Sequence, residues 1–301
     1  MAQKAWVGTT YGAGWLHRAL IGLLKVVDVR LVYAFAAIFV IPVCLVLNAS
    51  RGIAYRYFRQ RHGYSPLKAA WKTYVNHCIF ATVVIDRFAM YAGKRFPVDL
   101  EGYDHFQRLS AGEDAFVQLS AHVGNYELAG YSLASDRKPF NALVFFGEKE
   151  SVMQGRNQLF GNNRIKMIPV KDDMSHLFEM NRVLQEGEIL SMPADRFFGS
   201  SRAITLPFLG QEARFPQGPF SVATARGVDV LAVNVMKVAL KRYHIYITPL
   251  NYDKQARRNE QIDQLAKAYV AELERIVRQY PEQWYNYYQF WTYSPSESHS
   301  S

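Results

Sequence analysis

Between Arg30 and Arg51 no charged side chain occurs; the intervening run reads LVYAFAAIFVIPVCLVLNAS. A helix needs about 20 such residues to cross a bilayer, so residues 31–50 are a predicted membrane anchor. Pro42 lies inside the run, where a lipid-embedded helix tolerates it better than a soluble one. Upstream, Leu20, Leu23, Leu24 and Val27 recur at helical spacing among Arg18, Lys25 and Asp28, predicting an amphipathic lead-in within residues 1–30. Downstream, residues 50–62 mix arginines with Tyr55, Tyr57 and Phe58, a composition suited to a helix grazing lipid headgroups. A long helical pattern fills residues 66–92, opened by Pro66 and closed near Gly93.

From about residue 96 the rhythm changes. Short apolar runs at 98–101, 115–120, 142–146, 165–170, 188–192, 228–235 and 242–249 read as strands. Helical patterns over 103–109, 125–133, 151–160, 175–185, 217–226 and 260–279 alternate with them, and residues 198–218 read as a Gly- and Pro-rich loop region. Such alternation predicts an α/β sheet with flanking helices. The expected organisation is an N-terminal helical region over 1–94 that carries the anchor, an α/β domain over 95–292, and a disordered tail over 293–301.

Charge sharpens this picture. The 301 residues carry a formal net charge of +9, with a pI of about 9.4, which suits an anionic leaflet, an acidic protein or nucleic acid. Arg51, Arg56, Arg59, Arg61 and Lys68 crowd the downstream flank of the apolar run. The positive-inside tendency places that flank in the cytoplasm, although Arg18, Lys25 and Arg30 make the other flank basic too. No small-residue cleavage site follows the run, so it does not read as a cleaved signal peptide. The two cysteines, Cys44 and Cys78, read as buried free thiols.

Candidate chemistry concentrates in AFVQLSAHVGNYELAG. A buried strand runs into a short loop and then a helix, with His122 just past the strand and Glu127 in the first turn or so of the helix. Sites in open α/β sheets gather at the carboxyl ends of strands, and a helix start offers unpaired N–H groups. Gly124 allows the backbone to approach a ligand closely. A hydroxyl is a poor nucleophile until a base takes its proton, and neutral imidazole is the natural base near pH 7. A carboxylate on the far ring nitrogen fixes the tautomer and stabilises the imidazolium. Glu127 is the candidate for that role. Asn125 reads as a helix cap or a substrate contact, and Asp195 stands just past a second strand end.

From about residue 95 to residue 250 the chain resembles the lysophospholipid acyltransferase superfamily, in particular its lipid A biosynthesis lauroyl/myristoyl acyltransferase branch. Four stretches carry the likeness: SAHVGNYELAG, FGNNRIKMIPV with Arg164, LQEGEILSMPADRFFGSSRAITLPFLG, and PEQWYNYY. The resemblance implies a glycerolipid acyltransferase-like fold with a mixed central sheet. It implies His122 as base, Glu127 as its partner in an HX4E motif, and site roles for Arg164 and Asp195. It implies an acyl carrier protein thioester, or acyl-CoA, as co-substrate and no cofactor. The implied acceptor is a lipid A precursor, with a lysophospholipid or an amino-acid lipid as alternatives. The implied location is the bacterial inner membrane, with the catalytic domain on the cytoplasmic face. Arg196 follows Asp195 where many relatives carry Gln or His, and the Pro-Phe block reads Pro207-Phe208-Leu209-Gly210.

Other classes fit less well. No Gly-x-Ser-x-Gly elbow, His-Glu-x-x-His pair or P-loop occurs. No basic helix with base-reading spacing points to nucleic acid. Arg202 and Arg214 read as solvated charge, and the other histidines as structural or solvent-facing. The rival from another class is a non-catalytic, basic lipid-binding protein of the membrane surface.

Overall fold

A computed structural model describes residues 14–48, 50–133, 135, 137–145, 165–170, 173–197 and 202–291. Four helices come first: α1 (Gly14–Val26), α2 (Val29–Leu47), α3 (Arg51–Arg56, continued by a π-helical turn over Tyr57–Arg61) and α4 (Pro66–Tyr91). Within α2, residues Ala36–Val40 form a π-helical turn just ahead of Pro42. Proline has no N–H to give and crowds the preceding turn, and a widened turn relieves both faults.

The α/β region follows as β1 (Val98–Glu101), α5 (Tyr103–Ala111), β2 (Phe116–Ser120), α6 (Tyr126–Ser132), β3 (Phe140–Phe145), β4 (Ile165–Val170), α7 (Ser175–Gln185) and β5 (Ile189–Pro193). Then come β6 (Ala203–Phe208), β7 (Gln211–Pro216), α8 (Gly218–Ala225), β8 (Asp229–Ala239), β9 (Arg242–Pro249) and α9 (Arg258–Gln279), with a 3-10 turn at Pro281–Gln283. Seven strands form one sheet in the order β1-β9-β8-β2-β5-β3-β4. All neighbours are parallel except β8 and β9, so the sheet is mixed, as expected.

Both faces of the sheet are covered, which is why its strands read as unbroken apolar runs. Alternate residues serve opposite cores. Phe116, Ile189, Leu231 and Val233 join one cluster with Leu24, Val29 and Tyr33 of the N-terminal helices. Val117, Leu119, Leu190 and Ala232 join the other, with Phe220 of α8 and Leu265 and Val270 of α9.

The 198–218 region contains a hairpin where its Gly and Pro content predicts loop. Strands β6 and β7 pair in register around Leu209 and Gly210, both at positive φ, the backbone that a two-residue hairpin demands. Phe208 joins a ring cluster with Phe215, Trp284 and Trp291, so this residue of the Pro-Phe-Leu-Gly block serves packing. Cys44 is exposed and Cys78 half-buried, against the expectation of two buried thiols. For Cys44 the reason is that much of α2 faces outward from the fold. The predicted helix at 151–160 and the tail at 293–301 lie outside the described residues.

Candidate functional site

Ser120 at the end of β2 pairs with Pro193 at the end of β5. Residues two positions past each strand end therefore stand side by side, and these residues are His122 and Asp195. The Ala194 N–H donates to the Ser120 carbonyl at 3.0 Å and carries the pairing past the strands. Asp195 accepts twice from His122: from ring Nδ1 at 2.8 Å and from the backbone N–H at 2.9 Å. Asp195 is 2% exposed and the His122 side chain 15%.

The pair's electrostatics follow from this burial. Desolvation holds the His122 imidazole below its ordinary value, against the opposing pull of Asp195, and the Arg196 and Arg87 charges push the same way as burial. Burial pushes the Asp195 carboxyl up, but the charge and hydrogen bond of His122, with Arg196, overcome it and leave the group below the usual carboxylate value. The resting state is a neutral imidazole beside an ionised carboxylate. With Nδ1–H given to Asp195, the basic nitrogen is Nε2.

The loop bearing His122 is clamped on three sides. The Gly124 N–H donates to Gln283 O, the Asn125 N–H to Val235 O, and the Tyr285 N–H to His122 O. Val123 bridges to Trp284. Gly124 sits at φ +53°, and a Cβ there would lie 1.9 Å from Val235 O, so only glycine lets the loop lie against β8. The Gln283 side chain pairs with both backbone polar groups of Lys237 on β8. The Pro-Glu-Gln-Trp stretch therefore holds the site loop in place.

Glu127 stands where the first turn of α6 meets α4. Its carboxylate lies 3.0 Å from Arg87 Nε and accepts from the Tyr91 hydroxyl at 3.4 Å. The Nδ1 position that the sequence reading gives to Glu127 is occupied by Asp195, because strand register sets residues 122 and 195 at one height while α6 aims residue 127 toward α4. Asn125 occupies the N-cap position of α6 but makes no side-chain cap hydrogen bond, and it is 1% exposed. Arg164 lies outside the described residues. Arg202 and Arg214 are exposed, as expected.

Three contributors have no role assigned by the sequence pattern. Arg87 sits on α4, far from the motif in sequence. Arg196 is buried, donates to Tyr285 O at 2.7 Å and faces the Tyr288 ring. Tyr126 sets its ring edge-on to His122 at 5.4 Å. Arg196 carried one available signal, since a basic residue beside a strand-end aspartate is positioned to share its site. Arg87 carried none.

In sum, the site offers a tautomer-fixed imidazole at the carboxyl end of a sheet, backed by a buried carboxylate and flanked by an Arg–Glu pair. No curated protein matches the chain. A family model described as bacterial lipid A biosynthesis acyltransferase matches residues 78–292.

Proposed function

Since the chain belongs to the bacterial lipid A biosynthesis acyltransferase family, we propose that it moves a fatty acyl chain from an acyl carrier protein thioester, or from acyl-CoA, to a hydroxyl of a lipid A precursor at the cytoplasmic face of the inner membrane. The observation that carries the reading is the His122–Asp195 pairing. Nε2 of His122 takes the acceptor hydroxyl's proton as the oxygen attacks the thioester carbonyl. Asp195 holds the ring in the reactive tautomer and stabilises the imidazolium. The tetrahedral intermediate then expels the thiolate, which His122 reprotonates. No acyl-enzyme forms, because the acceptor hydroxyl itself occupies the place of a nucleophilic serine.

Arg87 neutralises Glu127, and burial, with smaller contributions from the Arg196 and Arg87 charges, keeps the imidazole neutral before reaction. Arg164 is proposed to hold an acceptor phosphate or the thioester oxygen. The donor's acidic carrier suits the chain's net charge of +9. This chemistry asks for acid–base catalysis alone, with no cofactor.

The test is acyl transfer from acyl carrier protein to a lipid A precursor by the purified protein in detergent. His122→Ala should lose about 10²- to 10⁴-fold in rate, and undiminished transfer would remove the base assignment. Mass spectrometry of lipids from a strain lacking the protein should show lipid A short of one acyl chain. Full acylation of lipid A with a change in another lipid would reassign the acceptor.

A further inference from the structure

We infer that α2 does not cross the bilayer but lies in the plane of one anionic leaflet, so that both of its flanks stay on the same side and the protein is monotopic. By length and composition α2 could span: it has 19 residues and a mean hydropathy of 2.4. Its packing argues otherwise.

α2 runs antiparallel along α4 for its whole length. The Tyr33 hydroxyl bonds Asp86. The Tyr74 hydroxyl donates to Ala37 O at 3.0 Å. Leu45 and Val46 share a cavity with Ala70 and Thr73. As numbers rise along α2 they fall along α4. Helix α4 is in turn fixed to the α/β region at both ends. Asp86 takes the Lys237 ammonium of β8 at 2.6 Å and the Tyr243 hydroxyl of β9. Lys72 pairs with Glu282, and Asn76 donates to Glu282 O and Trp284 O. Helix α4, which packs along the inner side of α2, is thus held to a globular domain with charged groups. Standing α2 upright in a bilayer would carry that domain into the hydrocarbon, where each charged side chain costs about 2.5–3.5 kcal/mol or more.

The outer side of α2 is apolar along the same length. Leu31, Phe35, Phe39 and Val46 are 58–71% exposed, and Trp15 of α1 and Trp71 of α4 extend the surface at 65% and 60%. Exposed Lys25 and Arg30 lie at one end and Arg51 and Arg56 at the other. An apolar strip with cationic ends and tryptophans at its borders complements the acyl layer and anionic headgroups of a leaflet. A soluble protein partner would have to match about 28 Å of helix and two basic ends at once.

The inference rests on the membrane association proposed above, not on acyl transfer. In a background with both cysteines replaced by serine, Lys25→Cys and Gln60→Cys variants are expressed in cells, and sealed inner-membrane vesicles of both orientations are treated with a membrane-impermeant maleimide. Both positions should react from the same side, on protein that floats with the vesicles. Reaction from opposite sides overturns the inference and leaves membrane association standing. Protein that fails to float overturns both. Nitroxides on Leu31→Cys and Val46→Cys, in vesicles containing phosphatidylglycerol, supply an independent reading. They should lie at one depth, whereas a spanning helix would separate them by about 22 Å. Acyl transfer by the same variants, measured in detergent, reports separately on the proposed reaction.

Discussion

Replacing Asp195 by asparagine tests the proposed site with almost no change of shape. The carboxylate accepts from His122 Nδ1 at 2.8 Å and from the His122 backbone N–H at 2.9 Å. An amide has one accepting oxygen and one donating nitrogen, so it cannot satisfy both. If the oxygen stays on the backbone N–H, the NH2 group faces Nδ1 and forces the proton to Nε2, where the base is needed. If the oxygen turns to Nδ1, two donors oppose each other at the backbone and the loop must shift. Either outcome removes the positioned base, a loss of about 10²- to 10⁴-fold in kcat, or about 2.7–5.4 kcal/mol of barrier. The pH profile adds a second readout. Transfer requires neutral His122, whose titration burial holds below the ordinary histidine value, so the acid limb of kcat/KM should fall below about pH 6.5. Asp195 opposes that depression, so the residual activity of Asp195→Asn should have its acid limb at still lower pH. The assay is initial rates against pH in detergent, with thermal unfolding as the control for folding. A loss under tenfold in a folded variant would refute the reasoning. If Glu127→Gln instead carried the full loss, the ring's working partner would be Glu127.

Gly124→Ala should lower both stability and transfer. Its φ of +53° and the Val235 oxygen 1.9 Å from the added Cβ imply about 1–3 kcal/mol of strain and a displaced His122 loop; an unchanged melting temperature with unchanged rate would contradict this. Asp86→Leu leaves the Lys237 ammonium, 6% exposed, buried without its counter-charge. The expected cost is about 3–5 kcal/mol by denaturant unfolding in detergent. Adding Lys237→Met should recover part of it, and purely additive losses would exclude a coupled pair.

Much of this protein was written locally. The apolar run from 31 to 50, the strand–loop–helix around His122 and the long helix ending before Pro281 each follow from periodicity, charge gaps and Pro or Gly stops within a dozen residues, and all of them appear in the structure. The hairpin at β6 and β7 was less legible, because its turn puts a non-glycine residue, Leu209, at positive φ and so offers only Gly210 as a signal. The exposure of Cys44 was hidden for a related reason. Apolar composition says that a helix avoids water, but it does not say whether protein or lipid does the covering.

The amino-acid order by itself placed the candidates His122 and Asp195 just past strand ends, since the alternation of apolar and polar positions is local and side-chain chemistry is intrinsic. Which carboxylate meets the imidazole was decided only by tertiary structure. The neighbours of β2 are β5 and β8, not the strands next in sequence, and the register Ser120 to Pro193 sets residues 122 and 195 at one height across a spacing of about 4.8 Å. Glu127, only five residues from His122 in sequence, is turned by its helix toward Arg87. Strand order and register emerge from the burial of two whole sheet faces at once, a global balance that no short stretch of sequence encodes.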